Sequence, residues 1–237
     1  MENGNADWKS LSEKCRRICS EYCIEPVWIK TNIIDGFYSS AHDAVVSYVN
    51  AAVALSLQKM VSNYYISSGY TYDEFELVGH SSEKADPLLV HCLATENTNF
   101  YVIGAELTRS EKTIYISDNR IAQKELFVCR YVNSVNGKIC NDSRCSKCTR
   151  TMIDLDIIGK LDNFRDVFDI DRYRKEKNYY WGYLIYKGKK DEYTNSTLNM
   201  MKKYNIKMPI CAYASGLLKI IKNGFRRSNP DKYNFRP

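Results

Sequence analysis

Residues 39–65, SSAHDAVVSYVNAAVALSLQKMVSNYY, decide the fold class. Drawn as a helix, this stretch carries Ala, Val and Leu on almost every side, the pattern of a central buried helix. Ser39 or Ser40 is placed to cap it, and Gly69 lies beyond its end. Upstream, Trp8, Leu11, Cys15, Ile18, Cys19 and Tyr22 recur at three- and four-residue steps, which predicts a second helix over 7–23 that Pro26 stops.

Downstream the pattern is mixed. Asp86-Pro87 opens a short helix through Ala94, with proline in the first turn. Residues 100–107 (FYVIGAEL) and 112–117 (KTIYIS) read as two short strands of a hairpin. Asp118 or Asn119 caps a helix to about Tyr131, and Asn136-Gly137 is a turn. Helix resumes over 149–168, interrupted near Gly159. Residues 178–187 (NYYWGYLIYK) read as a strand, although an aromatic-rich helix has the same composition. Leu198–Tyr204 and Pro209–Lys222 complete the helices, the last ended by Asn223-Gly224. The expectation is a mainly α protein with a small β component. It comprises one globular domain, 1–224, and a basic, aromatic C-terminal arm, 225–237.

A chain of 237 residues can bury a sizeable core. No apolar run reaches the length of a membrane span, and the polar residues 1–10 lack the apolar region of a secretory signal. A cytosolic or nuclear location is expected. Residues 1–171 hold 18 Lys and Arg against 24 Asp and Glu, whereas 172–237 hold 16 against 4. Blocks of opposite sign suit a basic face for nucleic acid, head-to-tail association of identical chains, or simply two solvated faces. The 19 tyrosines outnumber 8 phenylalanines and 3 tryptophans. Tyr favours contact surfaces, because a large rigid ring ends in a hydroxyl that tolerates a wet rim. A codon bias of the genome would give the same excess.

Nine cysteines cannot all pair within one chain. Cys15, Cys19 and Cys23 repeat every four residues along one helix face, where they would reach partners elsewhere more readily than one another. They are small buried hydrophobes or crosslinks between chains. Candidates for such contacts are Cys15, Cys19, Cys23, Cys140, Cys145, Cys148 and Cys211, with Phe225, Tyr233 and Phe235 of the arm.

Cys140, Cys145 and Cys148, spaced C-x4-C-x2-C, form the best metal candidate. Three thiolates suit zinc, with Cys129, His80 or His91 as a fourth ligand. His80-Ser81-Ser82-Glu83, followed by Cys145-x2-Cys148, is similar in residue types and order to the zinc deaminases. That resemblance implies His80, Cys145 and Cys148 as ligands and Glu83 as proton shuttle. It departs from the pattern in its three-residue His–Glu step and in Arg144, which stands where proline is expected. No phosphate-cradling glycine motif occurs, and His42 beside Asp43 reads as a core residue. The carboxylates between Asp154 and Asp171 lack the calcium-loop pattern. The run 172–190 interleaves Lys and Arg with Tyr173, Tyr179, Tyr180, Trp181, Tyr183 and Tyr186, as stacking on single-stranded nucleic acid would require.

Tyrosine surplus, charge polarity, unpairable thiols and an aromatic arm together resemble the polyhedrins, the occlusion-body matrix proteins of insect viruses, in their nudivirus form. The resemblance implies a crystalline lattice of copies of this chain around virions, arm exchange, disulfides between chains and no enzymatic activity. It places the protein in occlusion bodies of the host nucleus or cytoplasm. On that basis the expected partner is the chain itself, with virions. No cofactor, membrane or nucleic acid is expected. A zinc deaminase-like enzyme and a single-stranded nucleic-acid binder stay open as alternatives.

Overall fold

A computed structural model describes residues 2–33, 42–77, 81–129, 133–135, 138–188 and 192–227. Among the described residues nine α-helices stand beside two two-stranded sheets, so the mainly α class with a small β component holds. The chain divides into two compact units: Val27–Lys112, and Met1–Pro26 with Thr113–Pro237. Among the described residues no helix is long and apolar enough to cross a membrane.

In the unit of residues 27–112, helix α2 (His42–Ser56) is followed by strand β1 (Asn63–Ser67), helix α3 (Asp86–Cys92) and strand β2 (Asn99–Ile103). β1 and β2 pair in parallel, Asn63 opposite Asn99 and Ser67 opposite Ile103. Ile66 and Phe100 point inward and pack with Ala51, Ala54 and Val90. On the outer face Tyr65 stacks on Tyr101, ring centroids 5.2 Å apart. The long helix expected over 39–65 therefore ends at Ser56. Tyr64, Tyr65 and Ile66 belong to the strand, where bulky side chains gain cross-strand partners that a helix end would not provide. Ser39 and Ser40 lie outside the described residues.

The hairpin expected at 100–117 is replaced by one strand and one helix. Residues 99–103 pair with β1, whereas helix α4 (Arg109–Ile116) takes up the second half. Its start is a capping box: Thr108 N–H donates to Glu111 Oε2 at 2.9 Å, and Glu111 N–H donates to Thr108 Oγ1 at 3.3 Å.

In the larger unit, helix α1 (Glu2–Glu21) docks by its polar face. Ser10, Ser12 and Lys14 are buried while Trp8, Leu11 and Tyr22 are exposed. Ser10 Oγ accepts the Ile139 N–H at 2.7 Å, and Arg17 and Lys14 pair with Glu125 of helix α5 (Arg120–Glu125). Asn119 caps α5, its side chain accepting from the Ile121 and Ala122 N–H groups, so the cap stood where expected but the helix is shorter. Strands β3 (Asn133–Val135) and β4 (Lys138–Cys140) pair antiparallel. The Asn136-Gly137 turn lies outside the described residues.

Helix α6 (Ser146–Ile157) ends before Gly159, which has φ +69°, and a 3-10 turn follows at Leu161–Phe164, the interruption expected there. Helix α7 (Ile170–Lys187) contains the stretch expected as a strand. Tyr180, Trp181 and Leu184 recur at helical spacing on its buried face, and Gly182 lets it lie against helix α9 (Ile210–Arg227). Helix α8 (Glu192–Lys203) lies between them in sequence and packs against α6. Cys148, Met152, Leu155, Phe164, Tyr173, Trp181, Leu184, Met200 and Ala212 build the shared core. α9 continues through Asn223-Gly224 to Arg227, so the expected helix end at Gly224 is corrected. Residues 228–237 lie outside the described residues.

Candidate metal centre

The site begins with two side chains that fold a loop. Asn141, just after β4, is 8% exposed and uses both ends of its amide. Its Oδ1 accepts the Val128 and Cys129 N–H groups at 2.9 and 3.1 Å, and its Nδ2 donates to the Leu126 and Val167 carbonyls at 2.9 and 3.0 Å. The segment after α5 is thus drawn alongside the loop that leads into α6. Asp142 Oδ1 then accepts the Arg144 and Cys145 N–H groups, both at 2.9 Å, a turn that sets Cys145 as the N-cap of α6. Ser143, at φ +54°, completes the bend, and its hydroxyl accepts the Asp169 N–H at 2.9 Å.

Cys148 follows in the first turn of α6, fully buried. Its Sγ lies 3.4 Å from that of Cys145, which lies 3.9 Å from that of Cys129. Ligand atoms of Cys129, Asp142, Cys145 and Cys148 all fall within 4.8 Å of one another. A tetrahedral ion with Zn–S near 2.3 Å sets sulfurs about 3.8 Å apart. The two measured separations lie on either side of that figure. Three sulfurs and one oxygen form a donor set that suits zinc better than calcium or magnesium.

Burial pushes the Asp142 carboxyl up, but hydrogen bonds from Cys145, Arg144, Cys148 and Cys129 outweigh it and hold it below the usual carboxylate range. The Cys148 thiol is pushed up, first by its hydrogen bond to Cys145 and then by burial. Packed anions of this kind resist ionising together, and a divalent ion removes the conflict.

Of the ligands expected from spacing, Cys145 and Cys148 are brought together, with Cys129 as the partner. Cys140 is not among the four. It lines a cavity of about 500 Å³ bounded also by Lys14, Arg17, Glu125, Asn141 and Asp166. Asp142 takes the place that spacing assigned to Cys140, and the Asp-x-x-Cys turn signal at 142–145 could have found it. His80 lies outside the described residues. His91 and Glu83 belong to the other unit, His91 with its ring edge-on to Tyr101. All nine cysteines are thiols in the single chain. Cys15 and Cys19 are partly buried, and Cys23 and Cys211 are exposed. The side chains of Phe225, Tyr233 and Phe235 lie outside the described residues.

No protein-family model matches this chain, and no curated protein or solved structure was found similar to it.

Proposed function

We propose that this chain is a zinc-binding protein in which Cys129, Asp142, Cys145 and Cys148 hold one structural ion. The observation that carries the proposal is the convergence of three sulfurs and one carboxylate oxygen within 4.8 Å. Four protein ligands close a tetrahedron and leave no position for a substrate, the arrangement of a structural rather than a catalytic site. The ion would tie the segment after α5, the loop after β4 and the start of α6 into one piece, the work of a small metal clip on a loop-rich junction. The zinc-deaminase alternative needs an open coordination position and a proton shuttle, and this ligand set supplies neither. Metal analysis of protein purified without added zinc tests the proposal. One zinc per chain is expected, reduced to trace by Cys145→Ser or Cys148→Ser with a fall in Tm. A metal-free wild-type chain whose Tm ignores added zinc and chelator would refute it.

A second reading, self-assembly, is favoured by exposed apolar helix faces. Ile210, Tyr213, Leu217 and Leu218 stand on the side of α9 away from Ala212, and Ile210 is 87% exposed. Trp8 and Leu11 stand exposed on α1 in the same way. Contiguous apolar surface on a water-facing helix is a signature of protein contact. In its narrowest form the reading is a lattice of copies, as in an occlusion body. Sedimentation across a concentration series is expected to show association that Leu217→Lys with Leu218→Lys abolishes. A monomer at every concentration would remove the reading.

A further inference from the structure

We infer that Cys145 and Cys148 form a reversible redox pair, so that a hydroperoxide converts them to a disulfide and discharges the metal. The metal-release half rests on the zinc proposal, whereas the disulfide half rests on geometry alone. Cys145 is the N-cap of α6 and accepts the Cys148 N–H at 3.5 Å. The two sulfurs are 3.4 Å apart, with the first partly exposed and the second at 0% exposure. A disulfide needs about 2.05 Å, which modest side-chain rotation can supply in the first helical turn, as in Cys-x-x-Cys motifs generally. Exposure divides the roles. Cys145 belongs to the partly exposed residue at the helix start, the nearer of the two to solvent, and Cys148, at 0% exposure, is placed to resolve the product. Cys129, at 3.9 Å from Cys145, is the farther competitor.

The chemistry balances with the hydroperoxide as oxidant. The Cys145 sulfur attacks one peroxide oxygen, the O–O bond breaks, and the departing hydroxide or alkoxide takes the thiol proton to leave as water or alcohol, giving Cys145 sulfenic acid. The Cys148 sulfur then attacks the Cys145 sulfur, the S–O bond breaks, and the departing hydroxide takes a proton to leave as water. Two sulfurs lose two electrons in all, and the peroxide gains them. Both products have given up the lone pair that held a cation as thiolate, so only Cys129 and Asp142 remain as ligands, too few to retain zinc.

Hydrogen peroxide is added to protein as purified and to chelator-stripped protein, followed by peptide mass mapping, thiol counting and a colorimetric zinc assay. Expected in both arms is a Cys145–Cys148 disulfide, lighter by two hydrogens and reversed by dithiothreitol. The as-purified arm also releases one zinc per chain. Cys148→Ser is expected to accumulate a dimedone-reactive sulfenic acid at Cys145, whereas Cys129→Ser still forms the disulfide. Should Cys148→Ser fail to fold, Cys129→Ser and wild type decide the matter. A Cys129–Cys145 disulfide, or direct passage of Cys145 to sulfinic acid, overturns the inference. Protein that carries no zinc yet forms the disulfide in both arms would defeat the zinc proposal and leave the redox pair standing.

Discussion

The amide of Asn141 binds the backbone N–H of Cys129 at 3.1 Å while its other end holds the Val167 carbonyl at 3.0 Å. One buried side chain thereby fixes where a cysteine from a distant stretch of chain meets the start of α6. Asn141 serves the candidate centre without being one of its ligands.

Asn141→Ala is expected to cost about 3 kcal/mol, because it strands two half-buried N–H donors and two carbonyls. Zinc affinity should also fall by about 10- to 100-fold, as for loss of a group that orients a ligand. Urea unfolding and competition with a chelator check the two effects separately.

Asp86 is 2% exposed, and its Oδ1 has no hydrogen-bond partner among the described residues. Burial chiefly, with the charge of Glu83, raises its pKa from 3.8 to about 6, against a smaller opposing contribution from Ser47. The folded state therefore holds this proton more tightly than the unfolded chain does. Its contribution favours folding below the unfolded value and turns unfavourable as pH climbs from 3.8 towards about 6, levelling off above. The full change is at most about 3 kcal/mol. Asp86→Asn is expected to flatten that part of the stability profile and to raise stability at neutral pH, read from unfolding curves at several pH values.

Gly182 faces Gly216 where α7 crosses α9. A Cβ on Gly182 would stand 2.6 Å from both the Ala212 carbonyl oxygen and the Gly216 nitrogen, so backbone and not a flexible side chain would have to move. Gly182→Ala is expected to cost about 2 kcal/mol by overpacking, visible as a lower Tm. The same change at Gly159 has open space around it, and its cost should come only from the φ of +69°.

Thr108→Ala removes the hydroxyl of the capping box that starts α4. A loss of about 1 kcal/mol is expected, without change in zinc content. Circular dichroism during thermal unfolding, together with metal analysis, checks both parts.

Legibility divided according to how far apart the deciding groups stand in the chain. Local signals sufficed for α1, α3, the Asn119 cap and the break at Gly159, since periodicity, a capping side chain and a left-handed glycine all act within a few residues. The Thr108-x-x-Glu111 box stands in the sequence too, but the β-branched and aromatic content of 112–117 suggested a hairpin there instead. Residues 178–187 show the opposite dependence. Their rings satisfy either period, and burial against α9 through Gly182 selected the helix.

At the centre, the short spacing from Cys145 to Cys148 was readable because both belong to one helical turn. Spacing alone makes Cys140 the third ligand, but it lines the neighbouring cavity instead, and Asp142 enters through a turn of its own. Cys129 was named as one of three possible fourth ligands, and nothing near it in the chain distinguished it from His80 or His91. The choice was made by Asn141, whose bonds to both segments close a loop that sequence spacing cannot weigh. Helices and their ends were thus determined by neighbours along the chain, whereas the meeting of distant sulfurs was decided by tertiary structure, because only packing sets which long loops close.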